Sequence, residues 1–282
     1  MKTFNKAVEK YHKIKGENKN DKTYLKYFNG CFGDVPLNEI SKGKEQIIEA
    51  KLGIEGTPGT VNRYLNFLRA VLNFAYDELG WLDRRPKISR VKEPAREIKY
   101  LTVEEAAKLH EELPGHLKAP FLFSLLTGVR MSNCFGLKWE HIKDNKAWIN
   151  ADKTKSGRSI AIPLNTACLD LLNRLERNSE YLFTYAGRRL TRASNTGWYN
   201  ALKRAGLEGF KWHEATRHTW ASHHSMNGTS IHALKTLGGW SNIDVVVNNY
   251  AHLSDDYLSK ACENVNPLVS LELDNSKRGE II

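Results

Sequence analysis

A proline-bearing basic stretch divides the sequence and limits the number of domains that it can form. Residues 84–98, RRPKISRVKEPAREI, hold two prolines and six basic residues and show little periodicity of apolar positions. Proline interrupts helices and central strands, so we expect no regular element to run through this stretch. The sequence therefore predicts two domains, residues 1–85 and 99–282, joined by a basic linker at 86–98.

The segment before the linker is predicted to be a small all-helical domain. Residues 60–80 form the clearest amphipathic helix, because five apolar side chains recur on one face and Gly80 follows as a stop. The same helical spacing appears near the start of the chain. Further helices are predicted at residues 3–15, 20–30 and 38–52.

The segment after the linker is predicted to be mainly helical with a small β-sheet. It opens with a capping box, in which Thr102 is followed three residues later by Glu105. In residues 146–164 the apolar side chains recur at every second position, which places Ala147 and Ile149 on one face. This alternation predicts a β-hairpin that carries lysines at its tip. Other helices are expected at about 117–126, 165–177, 192–205, 214–227, 230–237 and 242–250.

The charge of the chain favours a polyanionic partner. Lys and Arg number 42 against 32 Asp and Glu, which gives a net charge of +10. The excess is shared, since residues 1–97 hold 19 basic and 13 acidic side chains and the rest hold 23 and 19. Both parts are therefore basic, as expected if both contact the same phosphate backbone, although many basic proteins bind no nucleic acid. The basic residues that we assign to DNA contact are Arg63, Arg84, Arg85, Lys87, Arg90, Lys92 and Lys153.

Other sequence features argue against a secreted, membrane or metal-binding protein. The four cysteines are scattered without a C-x-x-C pair, so reduced thiols are expected rather than a zinc site or disulfides. The N-terminus lacks the apolar core of a signal peptide, and no run approaches the roughly 18 apolar residues of a membrane span. We expect a cytoplasmic protein that has no membrane partner.

Several short motifs carry candidate chemistry, although each has a plain reading by itself. Arg130 follows a glycine in TGVRMS and could be a surface arginine, and Tyr250 could be a core tyrosine. The stretch HEATRH suggests the H-E-x-x-H of zinc proteases. His213 and His218 are five residues apart, however, or about 140° around a helix, so the metal reading fails.

The order of these motifs resembles the tyrosine recombinase, or phage integrase, family. Thr127 to Ser132 matches the pattern T-G-x-R-x-S, and the hairpin TKSGRSIAIPL resembles the family's β-turn with a catalytic lysine. HEATRHTWA resembles the H-x-x-R box, LGGW lies where members carry His or Trp, and YAH resembles the nucleophile box. The resemblance implies a catalytic set of Arg130, Lys155, His213, Arg217, Trp240 and Tyr250.

The resemblance also implies a fold, a reaction and partners. It implies a helical core-binding domain and a mixed α/β catalytic domain with a C-terminal tail, which form a clamp around duplex DNA. Tyr250 attacks the DNA phosphate and forms a 3′-phosphotyrosyl intermediate. The partners are double-stranded DNA with specific core sites, further copies of the chain in a tetramer, and accessory bending proteins. Neither a metal nor another cofactor is implied.

Each catalytic residue then has a role that its chemistry suits. Arg130 and Arg217 donate paired hydrogen bonds to the non-bridging phosphate oxygens. His213 is the base or proton partner of Tyr250, and Lys155 protonates the leaving 5′-oxygen. The Trp240 indole N–H is a donor for the phosphate. We allow for a Tyr250 that lies away from the pocket when DNA is absent.

The sequence departs from the family pattern at three places. Asn133 stands where many members have Glu or Asp. The second box reads H-x-x-x-R, so strict spacing from Arg217 would reach Glu214 instead of His213. Ten residues, where nine are usual, separate Trp240 from Tyr250, although Tyr257 is a worse candidate for the nucleophile.

Two alternatives to recombination stay open at this point. A type IB topoisomerase-like enzyme would use the same chemistry to relax DNA without exchanging strands. A catalytically silent protein of the same fold would bind DNA without attacking it. Covalent attachment to a nicked site discriminates the silent protein from both enzymes.

Overall fold

The computed structural model describes residues 1–32, 35–42, 44–94, 97–150, 159–193 and 196–253. The chain divides into two compact units, residues 1–96 and 97–282. Three residues singled out from the sequence, Lys153, Lys155 and Tyr257, lie outside the described residues. Within the described ranges, no helix has the length and apolar character needed to cross a membrane.

The first unit is all-helical, as predicted. The amphipathic segment forms its longest helix, which begins after Thr57: the Thr57 side chain accepts a hydrogen bond from the Thr60 N–H, and Pro58 occupies the first turn. The predicted face packs inward, since Leu65, Leu68 and their neighbours are buried. The helices are α1 Phe4–Lys15, α2 Asp21–Phe32, α3 Leu37–Lys42, α4 Lys44–Leu52 and α5 Pro58–Asp77.

The segment predicted as a linker is attached to this first unit. Its residues 86–94 form neither helix nor strand, yet the Ile88 side chain is buried in the core of the unit. The side chain of Asn62 donates to the Val91 carbonyl (2.9 Å) and accepts from the Val91 N–H (2.8 Å). Arg69 donates to the Ile88 carbonyl at 2.7 Å. Polar side chains of α5 thus satisfy backbone groups of a segment that belongs to no helix or strand, and this segment packs as part of the first unit.

The second unit, in the residues that the structure describes, is mainly helical with two small sheets. The predicted hairpin arms are present: β2 Lys146–Ile149 pairs antiparallel with β3 Ile160–Pro163, and Ala147 and Ile149 are buried. An additional strand, β1 Ile142–Lys143, pairs with β2. A second sheet joins β4 Thr184–Tyr185 to β5 Arg188–Arg189.

The helices of the second unit lie close to the predicted positions. The capping box is formed, since the Thr102 N–H donates to Glu105 (2.9 Å) and the Glu105 N–H donates to Thr102 (3.1 Å). The helices are α6 Val103–Glu112, α7 Gly115–Thr127, α8 Met131–Cys134, α9 Thr166–Asn173, α10 Thr196–Ala205, α11 Thr219–Met226, α12 Ile231–Gly238 and α13 Asp244–Tyr250. A π turn, Glu214–His218, precedes α11, and short 3₁₀ turns occur at Trp139–His141 and Ala251–Leu253.

A small separate core beneath α13 positions the end of the described chain. Trp220 and Ala221 of α11 pack with Leu234 of α12 and with Val246 and Tyr250 of α13. Ala221 is fully buried, and its small side chain lets the helices approach closely. This core places the tyrosine helix against α11, which follows the second box directly.

Candidate active site

Arg217 lies at the centre of the candidate site and is held on three sides. Its side chain donates to the Gly128 carbonyl (2.6 Å) and to the Gly238 carbonyl (2.7 Å). The Trp240 ring covers one face of the guanidinium, with 4.0 Å from Cζ to the ring centroid. Arginine has five N–H donors in a planar fork, so three remain for an anion. The buried arginine is thus fixed in orientation before any ligand binds.

Two motif glycines make this arrangement possible. Gly128 has φ +63°, and a Cβ at this position would overlap the ring of Trp220. A Cβ at Gly238 would overlap the ring of Trp240. Both glycines therefore let an indole ring pack against backbone whose carbonyl group holds Arg217. This packing is the physical reason for the T-G and G-G-W patterns in this chain.

Arg130 supplies a second positive charge to the same pocket. It lies two residues after Gly128, at the start of α8, and is half-buried. Burial lowers its pKa, and its charge acts on both His213 and Arg217. Burial, and then the charge of Arg130, lower the pKa of Arg217, although guanidinium groups stay protonated at pH 7. Neither arginine has an acidic partner within the described part of the chain, so the pocket favours an anion.

The extra residue in the second box is absorbed by the π turn. The Thr219 N–H donates to the Glu214 carbonyl five residues back, where a regular α-helix would bond four residues back. Such a turn accommodates one additional residue without ending the helix. His213 and Arg217 consequently both act in one pocket although four positions separate them.

His213, rather than Glu214, is the member of this box that meets the arginines. Burial, followed by the charges of Arg217, His218 and Arg130, lowers the pKa of His213 to about 4. The imidazole is therefore neutral at pH 7. Glu214 is buried, and its carboxylate accepts from the Lys211 N–H at 2.9 Å. The glutamate at the strictly spaced position thus caps its own turn.

Tyr250 lies inside the pocket. Only 1% of the residue is exposed, and its hydroxyl lies 2.7 Å from His218 Nδ1. Its carbonyl accepts from the Ser225 hydroxyl at 2.7 Å. Burial raises the pKa of Tyr250 to about 12, while the charge of Arg217 acts in the opposite direction. The structure thus describes Tyr250 within the pocket and not away from it.

Trp240 forms the wall between Arg217 and the tyrosine. Its ring centroid lies 5.9 Å from that of Tyr250 and 6.2 Å from that of Trp220. Gly239 turns the chain in the left-handed conformation, with φ +62°, and α13 begins at Asp244. The additional residue between Trp240 and Tyr250 is therefore compatible with a tyrosine in the pocket.

The structure thus brings together Arg130, His213, Arg217, Trp240 and Tyr250, while Lys155 lies outside the described residues. Sequence reasoning missed His218, which makes the hydrogen bond to the tyrosine hydroxyl. The sequence signal that could have pointed to His218 is its position directly after Arg217, which places it beside a predicted site residue. The motif comparison includes His218 in the second box but assigns it no role.

The residues assigned to DNA contact are exposed where the structure describes them. Arg85 pairs with Asp77 (2.8 Å) and Arg90 pairs with Glu93 (3.0 Å). Arg84, Arg85, Lys87 and Lys51 line a groove of about 450 Å³ on the first unit. Arg63 lies on the exposed side of α5, and Lys92 is exposed in the segment after the groove. This surface is basic, which suits a phosphate backbone.

Known proteins share the sequence pattern and the fold. Residues 99–256 match the Phage integrase family. The chain is 33% identical to the integrase of Salmonella phage P22 over 228 residues, which cover 75% of this chain and 58% of that protein. It is also 28% identical to the tyrosine recombinase XerA of Pyrococcus furiosus across 93% of both chains. The chain thus spans less than two thirds of the phage P22 protein, but nearly the whole of the archaeal one.

A solved structure shows the same architecture. The lambda integrase fragment 75–356, solved as a dimer bound to a core site, superposes with a TM-score of 0.69 and covers 90% of this chain and 96% of its own. At 20% identity this likeness concerns the fold alone. The family match covers more than half of the sequence, from before α6 to beyond Tyr250. The chain belongs to the phage integrase family.

Proposed function

We propose that the chain is a site-specific DNA recombinase that cleaves and rejoins DNA through a 3′-phosphotyrosyl bond at Tyr250. One observation carries the proposal: the Tyr250 hydroxyl lies in a pocket with two arginines that have no acidic partner in the described ranges. A phosphodiester fits this pocket because it brings one negative charge and two non-bridging oxygens. The nucleophile and the charge-neutralising groups are then within one site.

The pocket supports the chemistry of phosphoryl transfer. Arg217 is already oriented by two carbonyls, so little reorganisation is needed when the phosphate gains charge. Removing one such donor typically lowers a rate by about 10²–10³. His213 is neutral and suits a hydrogen bond to the phosphate or to the attacking group. Lys155, on the predicted hairpin tip, is our candidate for the acid that protonates the 5′-oxygen.

The proposal includes partners and a cellular place. We expect the basic surface of residues 84–92 to contact the DNA backbone, together with Arg63 and Lys153. The lambda integrase structure, a dimer on a core site, supports a duplex with specific core sites as the substrate. We further propose a tetramer on two such sites, with accessory bending proteins, in the cytoplasm of a bacterial or phage-infected cell.

Covalent capture tests the reaction and finds the target. Purified chain is incubated with sheared DNA of the genome that encodes it, denatured, and separated from unbound DNA, and the attached fragments are sequenced. A duplex of the recovered sequence is then nicked beside the cleavage point, so that the short 5′-hydroxyl fragment leaves and the adduct accumulates. We expect a 3′-linked adduct in the presence of EDTA and without ATP.

Matched variants decide which residue is attached. Tyr250→Phe should bind the duplex but form no adduct, whereas Tyr199→Phe, an exposed tyrosine on α10, should react like the parent. An adduct that persists in Tyr250→Phe would refute the assignment. Binding without any adduct would indicate the silent DNA-binding protein. Relaxation of supercoiled DNA without joining of two recovered sites would indicate the topoisomerase-like activity.

A further inference from the structure

His218 makes a hydrogen bond with the reacting oxygen of the proposed nucleophile. Its Nδ1 lies 2.7 Å from the Tyr250 hydroxyl, and the two ring centroids are 6.1 Å apart. We infer that His218, and not His213, accepts the proton of Tyr250 when the tyrosine attacks DNA. This inference rests on the proposed function and names a further catalytic residue for it.

One helix holds both ends of the tyrosine. His218 ends the π turn directly before α11 and contacts the hydroxyl, while Ser225 of α11, seven residues later, donates to the Tyr250 carbonyl. Positions separated by seven residues lie two turns apart on one helix face. The tyrosine ring is therefore aligned along α11 by a polar contact at each end. Alignment of this kind keeps the phenol and the imidazole within proton-transfer distance.

His213 is a poorer acceptor for this proton. Within the described ranges no hydrogen bond joins it to Tyr250, and its ring lies 6.4 Å from that of His218. A proton on His213 would place a third positive charge beside Arg130 and Arg217. Burial is the largest single cause of its lowered pKa of about 4, and the charges of Arg217, His218 and Arg130 lower the pKa further. A neutral His213 can instead donate a hydrogen bond to the phosphate.

The proposed step conserves charge and electrons. The hydrogen bond requires the His218 tautomer that carries its proton on Nε2, so that the Nδ1 lone pair accepts from the phenol. As the phenolic oxygen forms its bond to phosphorus, its proton moves to Nδ1 and gives an imidazolium. The bond from phosphorus to the 5′-oxygen breaks with its electron pair on that oxygen, which takes a proton from Lys155. In the rejoining step the imidazolium returns its proton to Tyr250.

Substitution by asparagine separates proton transfer from positioning. In His218→Asn the amide oxygen takes the place of Nδ1, so the hydrogen bond from Tyr250 is retained but no proton is accepted. General base catalysis typically contributes about 10²–10⁴ in rate. We therefore expect single-turnover cleavage of the nicked duplex to fall at least about 100-fold, with unchanged DNA affinity. His232→Asn, the same change at an exposed histidine of α12, should cleave like the parent.

A more acidic phenol provides the second readout. A fluorotyrosine installed at position 250 loses its proton more readily and depends less on a base. The rate deficit of His218→Asn, measured against the parent with the same nucleophile, should then shrink strongly. Should the asparagine variant fold poorly, His218→Gln is measured in the same way.

Each outcome decides the inference. Parental cleavage by His218→Asn, or an equal deficit with tyrosine and fluorotyrosine, would show that His218 only positions the nucleophile and would overturn it. A rate loss in His213→Gln that fluorotyrosine rescues would assign the proton to His213 instead. Failure of the parent itself to form an adduct would refute the proposed function, and this inference with it.

Discussion

Replacing Gly128 by alanine should disturb the second unit through two separate effects. The residue has φ +63°, and a Cβ there would overlap the Trp220 ring. The left-handed conformation costs a non-glycine residue about 1–2 kcal/mol. Forcing an extra group into a packed interior costs about 1–3 kcal/mol more. The expected loss in the free energy of unfolding is thus about 2–5 kcal/mol.

Gly206 is a matched control within the same unit. It has φ +73°, but nothing lies within 4 Å of the position of a Cβ. Gly206→Ala should therefore show the conformational cost of about 1–2 kcal/mol without the overlap. The two variants should differ by about 1–3 kcal/mol, the steric part alone. In a unit of this size that difference corresponds to about 2–12 °C in the unfolding midpoint.

Tryptophan fluorescence during urea and thermal unfolding measures this difference in the second unit. Of the seven tryptophans, only Trp81 belongs to the first unit. The cleavage rate should fall more in Gly128→Ala than in Gly206→Ala, because the displaced carbonyl also holds Arg217. Equal unfolding free energies for the two variants would refute the close packing of Trp220 on Gly128.

Two further predictions concern the second box. Deletion of Ala215 restores the H-x-x-R spacing between His213 and Arg217, so it should convert the π turn into regular helix and retain cleavage, measured as adduct formation. Deletion of Ala221 from α11, as a control, should abolish cleavage. Loss of cleavage in both variants would contradict our account of the turn. For His213, the folded pKa of about 4 lies below the usual value near 6.5, so the unfolded chain gains a proton first. The free energy of unfolding should therefore fall as the pH drops from about 6.5 towards 4, and His213→Gln should weaken this pH dependence. Urea unfolding midpoints measured as a function of pH test this expectation. The same pH dependence in the parent and in His213→Gln would refute the lowered pKa of His213.

The predictions that succeeded rest on local physical signals. The amphipathic spacing of apolar residues predicted α5, and Thr102 followed by Glu105 three residues later predicted the capping box. The alternation of apolar residues at every second position predicted the two arms of the hairpin. Strands β1, β4 and β5 have two residues each, too few to show any repeat. The attachment of residues 86–94 was also missed, because it depends on Asn62 and Arg69, which are distant in sequence.

The site could be predicted as a set of residues but not as a geometry. Motif order selected five side chains that the structure brings together, and it left the spacing of the second box unexplained. The π turn forms because the Thr219 N–H donates to the carbonyl of Glu214, five residues back, instead of the carbonyl four residues back. The identity of a single residue does not determine this hydrogen bond. His218 was overlooked because its partner, Tyr250, is 32 residues away, and only the packing of α13 on α11 makes them neighbours.

The π turn has a consequence for finding related chains in genomes. A search that demands a histidine three residues before the arginine would align Glu214 with the histidine of the H-x-x-R box and reject this sequence. A hydrogen bond to the carbonyl five residues back allows one residue to be inserted in the helix, while the side chains on either side of the insertion still face the same pocket. Motif searches that tolerate one added residue inside a catalytic helix should therefore recover recombinase-like chains that fixed spacing discards.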